Sequence, residues 1–304
     1  MPLQQTLRRT VNCAGIGLHS GKKVTLSLAP APAGYGIRFR RVDLGGIEIP
    51  AHVSNLGSRL QLQTTLVNGE ASVETVEHLL SALRAMGIDN ARIDVNHPEV
   101  PIMDGSAAPW VYLIQDAGIK VQQAPRQTLQ VLRPMSYQQG DNKRIALYPF
   151  DGFNISYSIT FDHPVVRNQQ KTMEMDEAMF IDEIAPARTF GFLKEVEMLR
   201  QRGLALGGSL ENAVVLGETG VLNPLRFEDE FVRHKILDVV GDLSLIGYAI
   251  QGHLVVHRGG HALHTAFAEE VLRQTDAWQL VEAPSVEMLP GRERVPAHVR
   301  SIAS

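Results

Sequence analysis

The chain has 304 residues, of which 44% are hydrophobic and 20% charged, and this composition is that of an ordinary globular protein with room for two cores. The formal net charge of -4 and a pI near 6.3 argue against a nucleic-acid partner, and the single cysteine, Cys13, excludes a disulfide framework or a thiolate metal cluster. No secretory signal or run of about 18 apolar residues is recognisable, so we predict a cytoplasmic protein that is not integral to a membrane.

The first part of the chain alternates short strands with turns before it changes to helices. Period-2 patterns predict strands in KVTLSL (23–28), YGIRFRRV (35–42) and ARIDVNH (91–97). TTLVNGEASV (64–73) predicts a hairpin, because strand-forming residues flank an Asn-Gly turn. Helical spacing follows at 74–87 and 106–118, and each of these segments ends at a glycine.

The polar segment VQQAPRQT (121–128) contains a proline and has no periodicity, so we predict a linker at 123–127. Strand patterns then restart in TLQVL, RIALYPF and FNISYSITF, and helices are predicted near 176–184 and 193–202 and at about 228–246. A strand in GHLVVHR and a helix from about 261 come last. Two successive blocks of strands and helices predict an α+β protein with domains at 1–122 and 128–304.

The predicted helix at 228–246 carries a polar stripe that needs an explanation. His234, Asp238 and Asp242 lie four residues apart, on the side opposite the apolar core face. The stripe is either a solvated surface or the wall of a cleft. Phe231 and Leu245 fall among the polar residues, and few Lys/Glu pairs coat this face, so the pattern favours a cleft.

A metal ion would explain this stripe together with the helix at 74–86, where Glu77 and His78 lie off the apolar face. There His78 is either exposed or faces the other domain. Ligands at i and i+4 suit one ion, and a third ligand from elsewhere completes a catalytic zinc site with one open position. His78, His234 and Asp238 would form this set, which leaves Glu77 free as a general base.

The segment HRGGHALH (257–264) contains three more histidines. His261 and His264 are spaced for metal binding, His261 could instead be an acid/base group, or all three could be surface histidines. A histidine that stays protonated near neutral pH needs a carboxylate neighbour, and Asp242 is available for that task.

Seven ordered segments closely resemble one known family over nearly the whole chain: GIGLHSG, TVEHLLSAL, VPIMDGSA, ARTFGF, LALGGSLENA, EDEFVRHKILDVVGDL and GGHAL. The family is the zinc-dependent UDP-3-O-acyl-N-acetylglucosamine deacetylases of lipid A biosynthesis. The resemblance implies two α+β domains, with helix layers packed between two outer β-sheets and the metal between them. It also implies an insert, here about 193–222, that forms a hydrophobic passage for a fatty-acyl chain.

The resemblance also implies roles for individual residues. His78, His234 and Asp238 would bind Zn2+, Glu77 would be the general base, and His261, oriented by Asp242, would be the second acid/base group. Thr189 in ARTFGF resembles the threonine that stabilises the oxyanion, and Lys235 resembles a lysine that contacts the substrate. The activity implied is hydrolysis of the acetamide of UDP-3-O-acyl-N-acetylglucosamine to the free amine and acetate.

Substrate contacts follow from chemistry and resemblance together. Arg258, where many relatives have lysine, is the candidate for the diphosphate, because its guanidinium can bind it bidentately. Phe190 and Phe192 would stack or line the pocket, or simply pack in the core. The acyl passage would be lined by four apolar side chains: Leu199, Leu204, Ala213 and Val215. The chain departs from the family at His264, usually asparagine, and in GSRLQLQTTL (57–66).

Two other functions fit the same residues. One is a zinc amidohydrolase that acts on another N-acetylated sugar or a polyamine and has no need of the 193–222 insert. The other is a non-catalytic module that binds a UDP-sugar or an acyl chain. Loss of the base or of a metal ligand would be expected in such a module, and all of these positions are intact.

Overall fold

The structure is a computed structural model that describes residues 2–58 and 62–282. Part of the segment 57–66 and the residues beyond 282 therefore lie outside the described residues. The elements up to Pro125 are, in chain order, β1 (Leu3–Leu7), β2 (Val11–Ile16), β3 (Lys23–Pro30), β4 (Ile37–Arg41), β5 (Ile47–Pro50), β6 (Thr65–Asn68), β7 (Ala71–Glu74), α1 (Glu77–Ala85), β8 (Ala91–Val95), α2 (Ala108–Ala117) and β9 (Ile119–Pro125).

The second half of the chain repeats the mixture of strands and helices. Its elements are β10 (Gln127–Val131), β11 (Met135–Gln139), β12 (Lys143–Tyr148), β13 (Phe153–Thr160), β14 (Asn168–Glu174), α3 (Glu177–Met179), β15 (Phe190–Phe192), α4 (Leu193–Gln201), β16 (Val214–Leu216), α5 (Glu230–Leu243), β17 (Ala249–His257), α6 (His261–Arg273) and β18 (Trp278–Glu282). A π-helical turn at Phe180–Ile184 follows α3, and a 3-10 turn at Ser244–Ile246 follows α5.

Each half of the chain builds its own main sheet. The first half forms a five-stranded sheet in the order β2-β3-β8-β4-β5. The second half forms a seven-stranded sheet in which β17 is central, parallel to β10 and β13 and antiparallel to β12. The predicted α+β class is confirmed; the division into domains at 1–122 and 128–304 stays a prediction.

The helices lie where the two halves meet. Helix α1 of the first half packs against α2 and against α5 of the second half, while α5 and α6 contact each other and the strands of the seven-stranded sheet. Five of the predicted helices, at α1, α2, α4, α5 and α6, lie where the sequence placed them. Among the described residues, no helix combines the length and the apolar character needed to cross a membrane.

The segment predicted as the interdomain linker, 123–127, is mostly strand in the structure, and its role between domains stays a prediction. Residues up to Pro125 form β9, which pairs antiparallel with β1, and β10 begins at Gln127, so only Arg126 lies between the two strands. The sequence signal was weak because β1 and β9 form a two-stranded sheet of their own. The alternate residues of such a ribbon stay partly exposed, and no apolar period marks the strand.

Gly241 sets how closely α1 and α5 approach. A Cβ at this position would lie 2.1 Å from the backbone oxygen of Glu77. Glycine inside a helix is unfavourable by about 1 kcal/mol relative to alanine, so its presence here needs a packing reason. The absence of a side chain lets the backbone of α5 cross directly over the first residue of α1, which is the residue before His78.

We expect Gly241→Ala to lower the free energy of unfolding by about 1–3 kcal/mol, the usual range for overpacking a core. Helix propensity alone predicts a gain of about 1 kcal/mol, so the sign of the change separates the two effects. Denaturant unfolding of both proteins measures it. Gly220→Ala is the matched control, because a Cβ there would meet open space. A Gly241→Ala protein as stable as the wild type would contradict the close crossing.

Candidate metal centre

Side chains from α1 and α5 converge on one point. The Oδ1 atom of Asp238 lies 3.3 Å from Nε2 of His234 and 3.7 Å from Nε2 of His78. Ligand atoms on a tetrahedral zinc ion, with bonds of about 2.0–2.1 Å, lie about 3.3 Å from each other. The structure thus brings together the three residues that the spacing selected, and all three are buried.

The two imidazoles are held in the form that binds a metal. The Nδ1 atom of His234 lies 3.1 Å from the backbone oxygen of Ala187, so it donates a proton there and leaves Nε2 as the free lone pair. Burial is the main cause that lowers the pKa of both histidines, to about 3 for His78, where the neighbouring His234 lowers it further. Both rings are therefore neutral near neutral pH.

Asp238 supplies the negative charge and a carboxylate oxygen that suits a metal ion. Burial alone would raise the pKa of its carboxyl group, but His234 and Lys235 outweigh burial and hold it well below its usual value. Nζ of Lys235 donates to Oδ2 at 2.8 Å. Oδ1 is buried and has no hydrogen-bond partner among the described residues. An unpaired buried carboxylate oxygen beside two imidazole lone pairs fits a divalent cation.

Glu77 precedes His78 on α1, and its carboxylate is not part of the group of possible metal ligands. Its Oε2 accepts a hydrogen bond of 3.1 Å from the backbone N–H of Thr64, and its Oε1 lies 3.8 Å from Nε2 of His261. Burial raises the pKa of Glu77 to about 7, and Asp242 and Asp238 add to the rise while His261 opposes it. A carboxylate with a pKa near neutrality is suited to accept a proton.

His261 is a buried group, which excludes the alternative of a surface histidine. Its Nδ1 lies 2.9 Å from Oδ2 of Asp242, the carboxylate that the sequence analysis proposed as the neighbour of a protonated histidine. Burial would lower the pKa of His261, but Asp242 and Glu77 outweigh it and raise the pKa to about 9. Near neutral pH the ring is therefore a cation that faces Glu77 and can give up a proton from Nε2.

The loop before β15 is anchored by a buried ion pair. Glu230, at the first position of α5, accepts hydrogen bonds from Nε and the backbone N–H of Arg188 and from the backbone N–H of Arg226. This pair fixes Arg188, the residue that follows the Ala187 carbonyl on which His234 is oriented and precedes Thr189 at the edge of a cavity. Nothing in the spacing of the sequence marked Glu230 or Arg188.

We expect Glu230→Gln to lower the free energy of unfolding at neutral pH by about 3–5 kcal/mol, the range for breaking a buried pair. Burial alone would raise the pKa of Glu230, but Arg188 outweighs it and holds the pKa below its ordinary value of 4.5. A lowered pKa stabilises the folded state above that value and ceases to do so as the pH falls below it.

The difference in stability between wild type and variant should therefore shrink as the pH falls below about 4.5. Denaturant unfolding at several pH values measures the difference. Glu228→Gln, the same change at an exposed side chain two residues earlier, is the control and should be nearly silent. A constant difference down to pH 3 would contradict the assignment.

An apolar cavity of about 390 Å³ opens beside the cluster. It is lined by Thr189 and Phe190 and by the segment predicted as the acyl passage, including three of the four predicted walls: Leu199, Ala213 and Val215. The fourth, Leu204, is not among the lining residues. A second, more polar depression is bordered by Lys143, Gly260 and His261, and it shares Leu62 with the apolar cavity.

The remaining predicted substrate contacts lie in different environments. Phe190 lines the cavity and packs edge-on against Phe231 and His234, so it serves both the wall and the core. Phe192 packs against Phe161 and does not line the cavity. Nζ of Lys235 lies 5.5 Å from the ring centre of Phe190. Arg258 is exposed and borders neither cavity. The substrate roles of these residues stay predictions.

Similar proteins are known over nearly the whole length of the chain. A family model described as LpxC, UDP-3-O-acyl N-acetylglycosamine deacetylase, matches residues 4–273. The chain is 50% identical over 283 residues to a UDP-3-O-acyl-N-acetylglucosamine deacetylase of Pseudomonas entomophila, covering 91% of this chain and 93% of that one. It is 51% identical to the protein of the same name from Citrifermentans bemidjiense, covering 93% of each chain, and 47% identical to that of Teredinibacter turnerae, covering 94% and 96%.

Proposed function

Because the chain belongs to the UDP-3-O-acyl N-acetylglycosamine deacetylase family, we propose that it removes the acetyl group of UDP-3-O-acyl-N-acetylglucosamine with a zinc ion held by His78, His234 and Asp238. The products are the free amine and acetate, in an early committed step of lipid A biosynthesis. The observation that carries the zinc site is the convergence of two neutral imidazoles on a buried, unpartnered carboxylate oxygen. A cytoplasmic location remains a prediction from the sequence.

Zinc is the metal that suits this donor set, since two imidazoles and one carboxylate with room for a fourth ligand are typical of its catalytic sites. A zinc ion held there would polarise the acetamide carbonyl and lower the pKa of a water molecule. Lys235 donates to Oδ2 of Asp238, so Oδ1 would be the oxygen left to hold the ion.

The acid and base functions fall to Glu77 and His261. Glu77, with a pKa of about 7, takes a proton from the attacking water molecule and is kept in place by the Thr64 N–H. His261, cationic beside Asp242, gives a proton to the departing amine nitrogen. Thr189, at the edge of the cavity, donates a hydrogen bond to the carbonyl oxygen as negative charge develops there.

The substrate would lie across the two cavities. They meet at Leu62, with Thr189 on the apolar side and His261 on the polar side. An acyl chain fits the apolar cavity, and the sugar nucleotide fits the polar depression, where Lys143 offers a cation for a diphosphate. The acetamide would then lie between them, next to the ligand cluster.

We expect the catalytic efficiency, kcat/KM, to fall by about fourfold for each CH2 removed from the acyl chain, which corresponds to about 0.8 kcal/mol per methylene withdrawn from apolar contact. Steady-state assays with substrates of graded chain length measure the trend. The slope should flatten once the chain is too short to reach Leu199 and Val215, which line the cavity. Equal efficiency at all chain lengths would contradict the assignment of the passage.

The function itself is tested by measuring bound metal and acetate release on the same purified protein. We expect one zinc ion per chain and deacetylation of the UDP-linked acylated glucosamine far faster than of simple acetamides. Comparable rates on simple N-acetylated sugars or polyamines would favour a general amidohydrolase. Binding of the UDP-sugar without metal or acetate release would favour a non-catalytic module.

A further inference from the structure

Asp242 has a second imidazole on the same oxygen that serves His261. Nδ1 of His264 lies 2.8 Å from Oδ2 of Asp242, and the hydroxyl of Tyr157 lies 2.9 Å from Nε2 of His264. The other carboxylate oxygen, Oδ1, accepts a hydrogen bond from the hydroxyl of Thr64. His264, Asp242 and Tyr157 are completely buried. A chain of hydrogen bonds therefore runs from Tyr157 through His264 and Asp242 to His261.

The direction of these hydrogen bonds follows from the protonation states. Burial lowers the pKa of His264, which leaves a neutral ring with one donor and one acceptor nitrogen. Burial also raises the pKa of Tyr157 well above its usual value, so its hydroxyl keeps its proton. Asp242 is ionised and can only accept. His264 therefore donates from Nδ1 to Asp242, and its Nε2 accepts the hydroxyl proton of Tyr157.

The turn that leads into α6 is shaped to admit this pair. A Cβ at Gly259 would lie 2.5 Å from both Nε2 of His264 and the hydroxyl oxygen of Tyr157. A side chain at that position would push the two groups apart or displace the turn. The close approach of the turn to Tyr157 and His264 thus explains why the first residue of GGHAL, Gly259, is a glycine.

We propose that His264 and Tyr157 are positioning residues for the deacetylation: Tyr157 fixes the tautomer of His264, and His264 holds the Asp242 carboxylate in the orientation that aims His261 at the reaction site. The kinetic part of this inference rests on the proposed function. Without the His264 donor, Oδ2 would keep only His261, and the carboxylate would be held by one hydrogen bond at each oxygen, from Thr64 and from His261, in place of three in all. Removing a hydrogen-bond partner that orients an active-site group commonly lowers activity by about 10- to 100-fold.

Two amide substitutions separate the two hydrogen bonds. In the His264→Asn variant the side-chain amide nitrogen takes the position of the histidine Nδ1. This variant therefore keeps a donor to Asp242 and loses the contact with Tyr157. In the His264→Gln variant the side-chain amide group takes the position of the histidine Nε2. That variant therefore keeps the contact with Tyr157 and loses the donor to Asp242. We expect kcat to fall about 10- to 100-fold in His264→Gln and to stay within about threefold of wild type in His264→Asn. KM and zinc content should not change in either.

A spectroscopic readout tests the inference without catalysis. In protein labelled with 15N-histidine, His264 should show a protonated Nδ1 and an unprotonated Nε2, and Tyr157→Phe should weaken that preference. If wild type lacks deacetylase activity but shows this tautomer, the proposed function fails and the hydrogen-bond chain stands. An Nε2-protonated His264, or equal kcat values for His264→Asn and His264→Gln, would overturn the inference.

Discussion

Glu77→Gln is expected to lower kcat by about 100- to 10,000-fold while the protein keeps its metal, because this range is the usual contribution of a positioned general base. Gln has nearly the shape of Glu, and its amide oxygen can still accept the hydrogen bond from the Thr64 N–H, 3.1 Å away in the wild type. It cannot accept a proton from water near neutral pH. The chemical step should therefore suffer while substrate binding does not.

Acetate release and metal content, measured on the same preparation, check this prediction. Glu99→Gln tests a buried glutamate outside the ligand cluster: its oxygens bind the backbone N–H groups of His19 and Ser20, so the change should affect stability before turnover. Turnover close to wild type in a zinc-loaded Glu77→Gln protein would assign the base elsewhere. Loss of zinc in that variant would make the carboxylate part of the ligand set.

The clustering of the three proposed ligands could be predicted in part from the sequence, because residues four apart lie on one face of a helix. His234 and Asp238 are four apart, and the structure places His234 Nε2 3.3 Å from Asp238 Oδ1. His78 was singled out by a different signal, its position off the apolar face of α1. In the structure His78 is buried, and α1 packs against α5. Burying the polar stripe of His234, Asp238 and Asp242 costs free energy unless these side chains have partners. A stripe of this kind on a helix therefore indicated a binding site.

The groups that support the ligand set could not be predicted in the same way. Thr64 reaches Asp242, which is 178 positions away, and Glu230 reaches the loop at Arg188 through a buried pair. These contacts depend on how separate elements pack, and no local period encodes them. His264 is a partial exception: it stood out in the sequence as a departure from its relatives, but only the structure shows that it bonds to Asp242.

The position of the centre between two halves of the chain has an energetic consequence. His78 comes from α1 and the other two proposed ligands from α5, so an ion bound there would join elements of the two halves. A ligand that binds only the folded protein stabilises it by an amount set by its concentration and affinity. Added metal should therefore raise the thermal midpoint, and the rise should depend on ligands from both helices.

We expect His78→Ala and His234→Ala each to lose zinc at ordinary concentrations, to lose measurable deacetylation, and to show no rise in thermal midpoint when zinc is added. Each change removes one of three proposed ligands and leaves Asp238 Oδ1 as a buried anion with one imidazole instead of two. Metal analysis, acetate release and thermal unfolding with and without zinc measure the three effects together. His253→Ala removes an imidazole of β17 that bonds Ser156 of β13 and lies outside the cluster of His78, His234 and Asp238, so that protein should keep all three properties of the wild type. If His78→Ala retained both zinc and activity, the ion would be held by α5 alone, and the meeting of the two helices would not be what creates the site.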